Sequence, residues 1–220
     1  MNKKIDKHLE KEIKKMTCGI ANPPKLVTSD KPITLYHGTS LKNFKKIMKQ
    51  GIQPRRKKPS NWEDIGISRP DLVYLTNCYA LYYASCAINS NYKKNKQVIL
   101  KIKIDPKKIK LYMDEEFIYH TLNFNHADNH QMAKDLYATI NPKNLNPLIK
   151  NAFTIKLPDW KDSLNYMGTV SCDAIPIENI IGYCILDKLI FQDPSISPLN
   201  YKIMSGIYFN ELKKLKYKKL

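Results

Sequence analysis

Short runs of apolar or alternating residues recur along the chain between polar segments, and they have the length of β-strands. The run from Val98 to Ile104 alternates apolar and basic side chains, which is typical of a half-buried strand. Another run, with Leu41, Phe44 and Ile47 at helical spacing, predicts a helix. Strands are predicted at residues 32–36, 72–76, 98–104, 109–112, 170–172 and 180–186.

The first helix carries signals for both of its ends. Thr39 or Ser40 precedes it as a cap, and Gly51 follows it as the residue that stops it. Further helices are predicted at residues 79–90, in a mixed stretch that runs to about residue 152, and at residues 211–216. Strands and helices interspersed in this way indicate an α+β fold.

The chain of 220 residues has room for one domain with appendages. Residues 1–32 are predicted to form a basic N-terminal extension that ends in a proline-containing linker, and residues 33–187 hold the predicted domain. Residues 188–220 form a basic C-terminal extension with a helical end. A solvated helix is favoured there over a membrane or nucleic-acid role.

Several classes of protein are excluded by what the sequence lacks. No apolar run approaches the roughly 18–20 residues that span a bilayer, and the charged first 16 residues lack the apolar segment of a secretory signal. Five cysteines without Cys-x-x-Cys spacing exclude a disulfide framework and a zinc ribbon. We therefore expect a cytoplasmic protein with no membrane partner.

The formal charge of +17, from 37 basic and 20 acidic residues, has two interpretations. A basic surface gains affinity for nucleic acid by releasing counterions from phosphates. However, only Arg55, Arg56 and Arg69 are arginines, and an excess of Lys, Asn, Ile and Tyr is what an AT-rich coding sequence produces. A polyanionic partner and a compositional origin of the charge both stay open.

Three groups of residues next to the predicted strands have the chemistry of a site. His37-Gly38-Thr39 offers an imidazole and a glycine at which a ligand can approach the backbone. Tyr74 and Tyr83 can stack on the faces of a flat aromatic ring. The acidic cluster Asp114-Glu115-Glu116 can stabilise an oxocarbenium ion or orient an attacking hydroxyl group. Together they suit cleavage of a glycosidic bond to a positively charged ring.

Four elements in this order resemble the ADP-ribosyltransferase superfold, in its His-Tyr-Glu branch of diphtheria toxin and poly-ADP-ribose polymerase. They are Tyr36-His37-Gly38-Thr39, Val73-Tyr74-Leu75-Thr76, Ala80-Leu81-Tyr82-Tyr83-Ala84 and the closing segment from Gly168 to Ile180. The closing segment is also similar to that of the RNA 2′-phosphotransferases and DNA-modifying toxins of the same superfold. The resemblance covers about residues 33–187 and implies a split β-sheet core with flanking helices.

The resemblance implies an enzyme that uses NAD as a co-substrate and needs no metal. His37 would contact the ribose hydroxyls in the adenosine half of NAD. The Gly38 backbone would bond the nicotinamide carboxamide, and Thr39 would support the loop. Tyr74 and Tyr83 would flank the nicotinamide ring.

The catalytic acid is the point at which this sequence departs from the family pattern. Toxin-like members carry a Glu on the late strand, but residues 167–171 contain no acid here. The acidic cluster offers the best replacement, with Glu116 and Asp114 as the first choices. Arg69 stands just before the strand of Tyr74, where it either meets a phosphate or forms a surface salt bridge.

We therefore expect transfer of ADP-ribose from NAD to a macromolecule, with RNA or DNA preferred over protein. By analogy with the family, the enzyme would be a toxin or phage-defence effector, with an antitoxin or inhibitor as a further partner. One alternative is an RNA 2′-phosphotransferase, which also uses NAD; Lys101 or Lys103 would then replace its phosphate-binding arginines. The other is a catalytically inactive module that binds nucleic acid or NAD.

Overall fold

A computed structural model describes residues 23–56, 68–88, 96–121, 140–145, 157–186 and 198–220. The strands are β1 (Ile33–Ser40), β2 (Val73–Thr76), β3 (Gln97–Ile104), β4 (Tyr112–Met113), β5 (Thr169–Cys172) and β6 (Ile180–Leu186). The helices are α1 (Leu41–Gln50), α2 (Ala80–Ile88), α3 (Glu115–Thr121), α4 (Trp160–Met167) and α5 (Pro198–Lys214). The predicted α+β class is confirmed.

The six strands form one sheet in the order β4-β5-β2-β1-β3-β6, and each neighbouring pair is antiparallel. β1 pairs with β3 along its whole length, and β2 does the same with β5. In contrast, the pairing between β1 and β2 consists of one residue pair, Tyr36 with Thr76. The sheet therefore consists of two halves, β4-β5-β2 and β1-β3-β6, that meet at a narrow joint.

Local signals place α1 correctly, while pairing decides the length of the strand before it. The amide of Asn43 donates to Ser40 Oγ over 3.3 Å, and the amide of Gly51 donates to Ile47 O over 2.8 Å, so both predicted caps are confirmed. Gly51 has a φ of 72°, a conformation that favours glycine. β1 runs on to Ser40 rather than ending at Tyr36, because β3 pairs with every residue of it.

The predicted strand at residues 109–112 is wrong in its first part. The chain turns after Asp105, whose carbonyl accepts from the amides of Lys108 and Ile109, each over 2.9 Å. This turn keeps the chain from an extended conformation until Tyr112. Only the short strand β4 then pairs with β5, and it forms the outer edge of its half of the sheet.

Both faces of the sheet are covered by helices. On the first face, Ile47 of α1 packs in a cluster with Leu35 and Leu100. On the second face, α2 and α5 enclose Tyr36 and Ile99. A third cluster lies beside β4 and α3 and consists of Met113, Phe117, Ile118, Ile140, Leu145 and Met167.

Gly38 lets α2 approach the second face of the sheet closely. A Cβ atom at this position would lie 1.9 Å from Ala80 O and 2.5 Å from Ala84 N, both backbone atoms of α2. Only a residue without a side chain allows this approach. Gly38 therefore has a packing role that fixes the helix carrying Tyr83.

Segments outside the predicted core are attached to it. The side-chain amide of Asn165 on α4 pairs with the backbone of Val27 in both directions, over 2.7 and 2.9 Å. Tyr208 of α5 is fully buried against α2, and the backbones of Lys218 and Tyr183 form an isolated antiparallel bridge. Residues 1–22 of the predicted N-terminal extension lie outside the described residues. Within the described ranges, no helix is both long and apolar enough to cross a bilayer.

Candidate active site

The joint between the two halves of the sheet is spanned by a side chain. His37 Nδ1 lies 3.0 Å from the carbonyl oxygen of Tyr74. A carbonyl only accepts, so Nδ1 carries the proton and donates, and Nε2 of the neutral ring is left as an acceptor. Burial lowers the pKa of His37, which favours this neutral ring. Among the described residues, Nε2 has no hydrogen-bond partner.

The hydroxyl group of Tyr74 connects β2 to the acidic cluster. It donates to Glu115 Oε1, and the backbone N–H of Arg69 points at both groups, 2.7 Å from Tyr74 Oη and 3.0 Å from Glu115 Oε1. Glu115 is only 1% exposed. Its other oxygen, Oε2, is buried without a hydrogen-bond partner among the described residues. The site thus contains a buried carboxylate oxygen that is free to accept a bond.

The start of α3 aims Glu115 at Tyr74. Asp114 Oδ1 accepts from the amide of Glu116 over 2.9 Å, as an N-cap residue does. The amide of Asp114 donates to Ser163 Oγ over 3.0 Å, and the Ser163 hydroxyl donates to the carbonyl of Thr169 over 2.8 Å. These bonds fix Asp114, the N-cap residue of α3, relative to β5, which is the neighbour of β2.

The carboxyl groups of the site lie in surroundings that oppose negative charge. Burial raises the pKa of Asp114 well above its usual range, and the charges of Glu115 and Glu116 raise it further. Burial also raises the pKa of Glu115, against the lowering effect of the bond from Tyr74. Burial and the Glu115 carboxylate raise the pKa of Tyr74, so that its hydroxyl keeps its proton as a donor.

The structure brings some of the candidate site residues together and places others elsewhere. His37, Tyr74 and the backbone of Arg69 are linked to Glu115, a member of the acidic cluster that was not among the two first choices. Nothing in the local pattern distinguishes Glu115 from Glu116, because neighbouring positions of a helix differ only in direction. The hydrogen bond from Tyr74, which is distant in sequence, distinguishes Glu115 from the other two acids of the cluster.

The remaining candidates are Thr39, Tyr83 and the side chain of Arg69. Thr39 is buried, and Tyr83 lies part-buried on α2 with its ring 5.6 Å from that of Tyr82. The Arg69 side chain forms an ion pair with Asp71 over 3.0 Å and donates to the carbonyl of Ile140 over 3.3 Å. Its guanidinium group therefore already has protein partners.

The late strand β5 carries a serine at the position next to Tyr74. Ser171 of β5 is in register with Tyr74, and its hydroxyl donates to the carbonyl of Met113 over 3.2 Å. This bond occupies Ser171 in holding β4 to β5. The carboxyl group next to Tyr74 is that of Glu115, from α3, the helix that follows β4.

The raised pKa of Asp114 predicts a specific dependence of stability on pH. The folded state keeps a proton that the unfolded chain releases near pH 3.8, so wild-type stability falls as the pH rises from there toward the raised pKa. Asp114→Asn removes this loss. Urea unfolding between pH 4 and 8 should show the variant gaining stability relative to wild type as the pH rises. A constant difference would contradict the prediction.

The candidate site therefore consists of His37, Tyr74 and Glu115, with the Arg69 amide between the last two. No group of three or more His, Cys, Asp or Glu side chains suited to hold a metal ion occurs in the part of the chain that the structure describes. Comparison with protein-family models, with curated proteins and with solved structures finds no match to this chain.

Proposed function

We propose that this protein is an NAD-dependent ADP-ribosyltransferase that transfers ADP-ribose to a macromolecule. The observation that carries the proposal is the link from His37 through Tyr74 to a buried carboxyl group, Glu115, where the two halves of the sheet separate. A sheet that is divided at this point is compatible with the split core of the ADP-ribosyltransferase superfold. Two of the motifs that carry the sequence resemblance, Tyr36–Thr39 and Val73–Thr76, lie on the strands that border the division.

The free atoms of the site suit the ribose groups of NAD. A ribose hydroxyl is a hydrogen-bond donor, and both His37 Nε2 and Glu115 Oε2 are acceptors without a partner among the described residues. A buried acceptor that lacks a donor costs about 1–3 kcal/mol, so a ligand hydroxyl that reaches it gains that energy. The two free acceptors thus suit the hydroxyl groups of a sugar.

The chemistry that follows is a substitution at the anomeric carbon of the nicotinamide ribose. The bond from that carbon to the ring nitrogen breaks, the electron pair leaves with nicotinamide, and the ring loses its positive charge. The sugar becomes oxocarbenium-like, and a carboxylate at Glu115 stabilises its charge and orients the ribose. An acceptor atom then bonds to the same carbon and releases its proton. Glu115, as a carboxylate of raised pKa, is suited to receive that proton.

The proposal is tested by incubating the purified chain with NAD labelled in its adenylate part and with separate pools of RNA, DNA and cell protein. Label in one pool, with release of nicotinamide, is the expected result, and it identifies the acceptor. His37→Ala should reduce the labelling about 100-fold or more, since it removes a contact to the substrate and the bond to Tyr74.

Three outcomes would contradict this proposal in different ways. Unchanged labelling by His37→Ala would place the site elsewhere. Loss of phosphate from 2′-phosphorylated RNA without labelling of any pool would favour the RNA 2′-phosphotransferase, and it would do so despite the ion pair that already occupies Arg69. Binding of NAD or nucleic acid without any turnover would favour an inactive binding module.

A further inference from the structure

The charges of the molecule are unevenly distributed between the two halves of the sheet. β1, β3 and β6 contain no Asp or Glu, and neither do residues 215–220. Asp105 and Glu178 flank β3 and β6, whereas the other half, β4-β5-β2, has more acids in it or beside it, namely Asp71, Asp114, Glu115, Glu116 and Asp173. The net positive charge is therefore strongest at one end of the sheet.

A basic surface is found at that end, on the second face of the sheet. Its residues are Lys101, Lys103, Tyr217 and Lys219, whereas Lys218 pairs with Tyr183 and points to the first face. Lys101 and Lys103 are two positions apart on β3 and thus point to the same face. Lys101 Nζ lies 5.5 Å from the centre of the Tyr217 ring.

The C-terminal part of this surface is held in place by backbone bonds. The amide of Lys218 donates to the carbonyl of Tyr183 on β6 over 2.8 Å, and the reverse bond measures 2.9 Å. The Tyr217 ring also packs 6.1 Å from the ring of Tyr36, which directly precedes His37. The surface therefore adjoins β1, the strand that carries His37.

The lysines of this surface are available to a ligand. Lys103 and Lys219 are exposed, Lys101 is half-buried, and among the described residues none of the three has an acidic partner. Surface lysines without counter-charges bind polyanions by displacing their counterions. The half-buried Tyr217 adds an aromatic edge next to the charges, which is a common feature of surfaces that bind single strands.

We propose that the basic surface binds the sugar-phosphate backbone of single-stranded nucleic acid, and that this strand is the acceptor of ADP-ribose. The binding of the strand is independent of the proposed function, whereas its role as the acceptor rests on that function. A single strand is favoured over a duplex because Glu115 is buried. A group that reacts next to a buried carboxyl must leave its stack, which a flexible strand permits at little cost.

A second group of lysines provides a matched control. Lys42, Lys45 and Lys49 on α1 are also exposed, and none of them has an acidic partner among the described residues. They belong to the helix that packs on the first face, away from the basic surface. Replacing three lysines in either place lowers the net charge by the same amount, so only position differs.

The test measures binding of the full chain to fluorescently labelled RNA and DNA strands of about 12 nucleotides, without NAD, over about 50–200 mM salt. The triple variant Lys101→Gln, Lys103→Gln, Lys219→Gln should reduce the slope of log affinity against log salt by about 2, since each single-strand contact contributes about 0.7. Its affinity should fall about 10- to 100-fold. Lys42→Gln, Lys45→Gln, Lys49→Gln should change affinity by less than about threefold.

Several results would overturn the inference. An equal loss in both triple variants would show attraction by net charge alone, and equally tight binding of a duplex would exclude preference for a single strand. Absence of binding to any RNA or DNA strand would exclude the basic surface as a nucleic-acid binding site. Because binding is measured without NAD, its failure is distinct from failure of the transferase proposal, which is judged by nicotinamide release.

Discussion

Glu115→Gln is expected to lower the rate of nicotinamide release from NAD by about 100- to 1,000-fold, because it removes the carboxylate while it keeps the size of the side chain. Glu115 is the acid that accepts from Tyr74, and its free Oε2 is the acceptor that a ribose hydroxyl would use. A glutamine amide in this place carries no charge to stabilise an oxocarbenium-like sugar. The rate is measured with the acceptor identified by the labelling experiment, and circular dichroism verifies the fold.

Glu116→Gln is the matched control for this experiment. Glu116 is the next residue of α3, and its amide donates to Asp114 Oδ1. This backbone bond survives the substitution, so we expect the rate to change by less than about fivefold. The opposite order, a large loss with Glu116→Gln and a small one with Glu115→Gln, would reject Glu115 and restore the choice made from the sequence.

Gly38→Ala is expected to destabilise the fold by about 3 kcal/mol, at the upper end of what overpacking costs. The new Cβ would lie 1.9 Å from the carbonyl oxygen of Ala80, a backbone atom that moves only with the whole of α2. For a chain of this size the loss corresponds to a decrease in Tm of about 6–12 °C. Thermal unfolding followed by circular dichroism measures it.

Gly182→Ala gives the comparison for that measurement. Its Cβ would lie 3.0 Å from Lys218 O, which belongs to the C-terminal segment and shifts more easily than a packed helix. We expect a loss of about 1 kcal/mol or less. If Gly38→Ala were no more destabilising than Gly182→Ala, the close packing of α2 on β1 would be wrong.

The features that the sequence predicted well are those with local causes. The cap at Ser40 and the stop at Gly51 follow from residue types at the ends of α1, and both are present. The alternation in β3 predicted a half-buried strand; the strand is present with its lysines on one side, but its first four residues are buried on both faces. The helix end predicted at residues 211–216 is the end of α5, which is packed rather than simply solvated, because Tyr208 and Leu212 are buried.

The features that the sequence could not predict depend on contacts between distant segments. The joint of the sheet at Tyr36 and Thr76 is a matter of register, which no local pattern encodes. The choice of Glu115 depends on a bond to Tyr74 across β5 and β4. Gly38 was expected to serve a ligand, whereas the structure shows in addition a packing role that only the position of α2 reveals.

The uneven distribution of charge between the halves of the sheet gives the molecule an electric dipole. Its more positive end is the edge formed by β3, β6 and the C-terminal segment, and its less positive end is the edge at β4 and α3. A polyanion that diffuses toward the protein exerts a torque on the protein before any contact forms. This torque turns the lysine-bearing edge of the protein toward the polyanion. The molecule is thereby oriented during encounter, and the orienting force weakens over the Debye length, about 8 Å at physiological salt.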